Sequence, residues 1–167
     1  MMRLQVVLIL FLIFVTGASV SAAEKVPIVE MGATTLRAQS GKRSVEASII
    51  TYKRPAALHH DEEDATAPVR NVVRAITITL DGQRVLVPRS VICGLVLPYR
   101  GELRVGPGLS ALTIEGGDTS ASYIVRIEFD SERVRRVTAA SSLIPDKPLQ
   151  ITTFYKQTLE EPPLKRR

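Results

Sequence analysis

From Val45 onward the apolar residues recur mostly at alternate positions, and turn-forming residues break the pattern about every eight to twelve positions. A side chain in a strand points to the opposite face from its neighbour, so this period predicts an antiparallel all-β domain with one face of each strand in the core. The clearest case is 123–129, where Tyr123, Val125, Ile127 and Phe129 share one face and Arg126 and Glu128 the other. Ile76-Thr77-Ile78-Thr79-Leu80 repeats the logic with β-branched residues, and Asp81-Gly82 after it is a two-residue hairpin signal because both residues tolerate positive φ. Residues 83–87 are then expected to return as the partner strand.

Pro88 closes that strand, and Ser90 to Leu97 reads as a more continuously apolar, covered strand that buries Cys93 as a small hydrophobe. A short strand follows at 102–105, and Ser110 to Glu115 and Ala121 to Phe129 flank Gly116-Gly117-Asp118-Thr119-Ser120 as a second hairpin. In 133–138 the alternation slips at Arg135-Arg136, which predicts a β-bulge with both arginines exposed. The last strand is placed at 149–156. The sum is about eight or nine strands, a single antiparallel β-sandwich or partly closed barrel.

The ends of the chain read differently. Arg3, an apolar run from Val6 to Val15 and small residues from Gly17 to Ala23 have the order of an export signal, with cleavage near Ala22 or Ala23. The apolar run is too short for the roughly 20 residues that span a bilayer, so no transmembrane segment is expected in the mature chain, and the periplasm or the exterior is its address. The division that follows is a signal peptide over 1–23, an N-terminal extension over 24–41 with a turn of helix between Gly32 and Gly41, a β domain over 42–157 and a disordered basic tail over 158–167. Within the domain, Pro55, Pro68 and an acidic run mark 54–71 as a loop.

Charge and chemistry narrow the function without naming it. The 167-residue chain carries 22 basic and 17 acidic residues, and loss of Arg3 with the signal leaves a net +4. Arg126, Arg133, Arg135 and Arg136, with Arg84, Arg89, Arg100 and Arg104, are positioned to form a basic face that would attract an acidic envelope protein or an acidic polymer. Tryptophan is absent and Phe and Tyr total eight, so stacked nucleic acid is not expected as a partner. One cysteine excludes an intramolecular disulfide. His59-His60-Asp61-Glu62-Glu63-Asp64 combines metal-ligating types, but adjacent ligands in a loop define no coordination geometry, so no metal and no cofactor is assigned.

Gly116, Gly117, Asp118, Thr119 and Ser120, together with Arg126, Arg135 and Arg136, are the candidate binding residues: the loop supplies backbone donors and hydroxyls, the arginines positive charge. No catalytic residues are assigned, because Gly-x-Ser-x-Gly is absent and both histidines sit in the acidic loop. The expectation is an exported noncatalytic binding or accessory protein of the cell envelope. Its rival is a small hydrolase of an envelope polymer using paired carboxylates, Glu115 with Asp118 or Glu128 with Asp130.

Overall fold

The computed structural model describes residues 24–55 and 69–156, and these form an all-β fold of ten strands in two antiparallel sheets. The strands are β1 (Lys25–Pro27), β2 (Gly32–Ser40), β3 (Arg43–Pro55), β4 (Val69–Leu80), β5 (Gln83–Val85), β6 (Pro98–Arg104), β7 (Ser110–Gly116), β8 (Tyr123–Phe129), β9 (Val134–Ser141) and β10 (Pro148–Thr153). One sheet has six strands in the order β1-β6-β7-β8-β9-β10, and the other has four in the order β2-β3-β4-β5. The signal segment, the histidine-containing acidic run and the basic tail lie outside the described residues. Among the described residues no helix is long and apolar enough to cross a membrane.

Alternation decides what each sheet buries. Val45, Ala47 and Ile49 of β3 and Ile76, Ile78 and Leu80 of β4 join Leu112 and Ile114 of β7 and Val125, Ile127 and Phe129 of β8 in one hydrophobic cluster that draws on both sheets. Asp81 and Gly82 hold φ of 51° and 80°, the positive values a type I′ turn requires, and β5 pairs with β4 directly after them. Arg135 is the extra residue of a bulge between β8 and β9, since Glu128 aligns with Arg136 but Phe129 with Val134. The slip in the pattern marked it; Arg136 is exposed and Arg135 half-buried.

Two expectations are corrected. Residues 90–97 are not a strand: Arg89–Val91 is a 3₁₀ turn, and Val91 and Leu95 are buried while Cys93 is exposed. The buried positions are four apart, so a turn rather than an extended strand brings them to one side, and the Cys93 thiol donates to the Arg89 carbonyl at 3.3 Å. The region 32–41 carries no helical turn. It is β2, paired with β3 from Gly32 opposite Thr51 to Ser40 opposite Arg43, with Thr34 and Leu36 buried. Its apolar positions are small, Ala33 and Ala38 around one leucine, so the period is weak until β3 supplies the ladder. The ten strands therefore replace the expected eight or nine by adding β1 and β2 and removing the segment around Cys93.

Candidate functional site

The residues with the most chemistry lie on the outer face of the six-stranded sheet. The inward set of β8 leaves Arg126 and Glu128 pointing away from the core, and register then chooses their neighbours. Arg126 aligns with Thr113 and Thr138; Glu128 aligns with Ala111 and Arg136. Glu128 thus sits between two guanidinium groups, bound by Arg126 Nε at 3.1 Å and by Arg136 Nε. Beyond β7, on β6, Glu102 is bound by Arg104, and Glu115 of β7 meets Lys25 at 3.0 Å and Arg100 at 3.4 Å. Cations and carboxylates alternate across the face.

Glu102 and Glu128 are buried although they point outward, and both are bound by arginine. The hydrogen bond from Arg136 holds the Glu128 carboxyl below the usual carboxylate range, and the charges of Arg136 and Arg126 deepen this against the opposing effect of burial. Burial pushes the Asp130 carboxyl up, yet its pKa is lowered on balance by the backbone N–H groups of Arg133 and Glu132 and by Arg135. In one of the two pairs expected of a hydrolase, Glu128 with Asp130, both carboxylates are thereby favoured as anions, which suits ion pairing. In contrast, each arginine of the Glu128 cluster uses only its Nε. Among the described residues the terminal nitrogens of Arg126 and Arg136 make no hydrogen bond, so each half-exposed guanidinium keeps a planar pair of donors for another acceptor.

The loop 116–120 stands apart from this cluster. Gly116 ends β7 opposite Tyr123, whose ring crosses so close that a Cβ on Gly116 would lie 2.3 Å from the phenol oxygen. That phenol donates to the Val96 carbonyl at 3.0 Å, and burial pushes its pKa up. Gly117 has φ +83°, and its N–H is directed at the Val96 and Leu97 carbonyls, 3.2 and 3.1 Å away. The Asp118 carbonyl accepts from Ala121 N–H at 2.7 Å to close a 3₁₀ turn over Thr119–Ala121, and the Asp118 side chain makes no capping bond. Its polar backbone thus ties the hairpin to the segment after Cys93. Thr119 and Ser120 are exposed.

The structure therefore divides the predicted site residues. Arg126 and Arg136 come together at Glu128, Arg135 binds Asp130 beside them, and Gly116 to Ser120 lie at the opposite end of β8, roughly 17 Å away at 3.3 Å per residue. Arg100 and Arg104 belong to the same outer face, whereas Arg84 is on β5 in the other sheet and Arg89 in the 3₁₀ turn. Sequence reading missed Glu102, Glu128 and Glu115 as the anions that space these arginines. Their alternation within each strand was visible, but the register that brings the strands side by side was not. On the four-stranded sheet a shallow groove of about 360 Å³ is lined by Arg37, Gln39, Ser44, Glu46, Thr79 and Gly82. No group of three or more metal-ligating side chains occurs among the described residues. Compared with known proteins, the chain matches no protein family, no curated protein and no solved structure.

Proposed function

We propose that this chain is an exported, noncatalytic binding or accessory protein of the cell envelope, working in the periplasm or after secretion, and that its two sheets face one another as a β-sandwich. Its ligand is an acidic group on an envelope protein or an acidic polymer, received by the outer face of the six-stranded sheet. The observation that carries this reading is Glu128 held anionic between Arg126 and Arg136, whose terminal nitrogens make no hydrogen bond among the described residues. The carboxylate orients both guanidinium groups, and their remaining donors suit bidentate capture of a second carboxylate or phosphate. Lys25, Arg100 and Arg104 extend the positive charge along the same face.

Binding of an acidic polysaccharide such as polygalacturonate, followed by calorimetry at rising salt, tests it. Arg126→Gln with Arg136→Gln should weaken binding by at least about tenfold and flatten its salt dependence. Unchanged affinity in a double variant of wild-type melting temperature would remove the face from consideration. Loop variants at Asp118, Thr119 and Ser120 serve as the comparison for the other predicted binding residues.

A further inference from the structure

The three most exposed large apolar side chains of the described residues fall in one stretch, in and around the last strand: Tyr155 at 82%, Leu149 at 78% and Leu143 at 73%, and Ile151 and Ile144 of the same stretch are exposed as well. That strand, β10, is a sheet edge, which pairs with β9 on one side and, among the described residues, with no strand on the other. Native sheets usually protect such an edge with charge, proline or a covering segment, because its free N–H and C=O groups invite another strand. Here Pro148 and a bulge at Leu149 guard the first two residues, and 150–154 stays regular and uncharged.

The phase of the β9–β10 ladder shows which backbone groups are free. Phe154 N–H donates to the Arg135 carbonyl at 2.9 Å, and Thr152 lies opposite Val137, so the even positions bond to β9. Ile151 and Thr153 therefore turn their N–H and C=O groups to the open side.

We infer that β10 is a dimerisation strand, whose occupant is the β10 of a second copy, antiparallel about a two-fold axis at Thr152. In this register Ile151 and the second copy's Thr153 exchange both backbone bonds, and the symmetric pair does the same, which satisfies the four free groups on each strand. Thr152 faces the second copy's Thr152 as a close non-hydrogen-bonded pair, a favourable cross-strand match, and Leu149 comes opposite the second copy's Tyr155. The two most exposed apolar residues thus meet each other twice, and no like charges are opposed between 148 and 156. A lipid surface would cover the apolar side chains but leave the backbone groups of Ile151 and Thr153 unsatisfied. The dimer joins two six-stranded sheets edge to edge, so that their outer arginine faces continue into one another.

This inference does not depend on what those faces bind. Sedimentation velocity of the full chain should show a monomer–dimer equilibrium with Kd at or below about 10 μM. In a Cys93→Ser background, Thr152→Cys should oxidise to a covalent dimer, since non-hydrogen-bonded partners have Cα atoms about 4.5 Å apart, within disulfide range. Ile151→Cys, facing threonine, should stay uncrosslinked. Ile151→Lys and Ile151→Pro should both be monomeric while keeping the wild-type circular dichroism; proline is tolerated toward β9 because the N–H it removes points away from that strand. The lysine variant carries the test if the proline variant fails to fold. A wild-type chain that stays monomeric, or cross-linking at 151 in preference to 152, would overturn the inference.

Discussion

The two sheets bury the same chemistry and expose opposite chemistry. Inward, both present fully buried branched aliphatics, Ile49 and Ile78 on one side and Ile114 and Ile127 on the other. Outward, the four-stranded sheet presents uncharged rows: Thr35, Ser48 and Thr77 align across β2, β3 and β4, and Ala33, Ile50 and Ala75 form the next row. Its outer ion pair on β2 and β3, Arg37 with Glu46 at 2.7 Å, is exposed at both partners. The six-stranded sheet instead carries a carboxylate on each of β6, β7 and β8, and Glu102 and Glu128 are buried and bound by arginine. An ion pair that water reaches freely contributes little, whereas a carboxylate desolvated between two guanidinium groups leaves buried charge behind when either side is lost. The same alternation therefore builds an inert outer face on one sheet and an electrostatically committed one on the other.

Equivalence of the inner faces is open to the most severe test. Ile127→Ala and Ile78→Ala, both at fully buried positions, should each cost about 2–5 kcal/mol in urea unfolding, and a large asymmetry would mean that one sheet can collapse around its cavity. Gly117→Val should cost about 2 kcal/mol or more, since a Cβ there meets the Ala121 carbonyl oxygen at 2.3 Å on a backbone with positive φ. Asp118→Ala in the same loop removes no capping bond and should stay within about 0.5 kcal/mol.

Electrostatic effects distinguish the outer faces. Glu128→Ala should destabilise by about 1–3 kcal/mol, because two arginines lose their shared acceptor. Acidity sharpens the contrast. Glu128 and Asp130 have folded pKa values below their ordinary ones, so the stability they contribute is complete above the normal carboxylate range of about 4 and is lost as pH falls through it towards their folded values. Urea unfolding between neutral and acidic pH should show a shallower loss for Glu128→Ala than for wild type. The smallest change is expected at Glu46→Ala on the other sheet, below about 0.5 kcal/mol, and a larger one would erase the distinction between the faces.

Much of this arrangement was legible in the residue pattern. Tyr123 to Phe129 declared both their strand and their buried side, Asp81-Gly82 its turn, and Arg135-Arg136 their bulge. Residues 32–40 did not, because alanine and threonine give too little contrast for a period to stand out, and β2 takes its form from pairing with β3. Cys93 was misread because a run of apolar residues suits a buried strand and a core-docking turn alike, and the buried spacing of Val91 and Leu95 appears only once the core is present.

By itself, the sequence determined the class of fold, the positions of its clearest strands and turns, and which side of each strand enters the core, because alternation is a property of adjacent residues and needs no partner. Only the tertiary structure decided that Glu128 lies between Arg126 and Arg136, that the loop at Gly117 is tied to Val96 and Leu97, and that β10 is the last strand of its sheet among the described residues. These are consequences of register and strand order. Both are set by contacts between segments far apart in the chain, where a shift of one residue would face every arginine with a different neighbour.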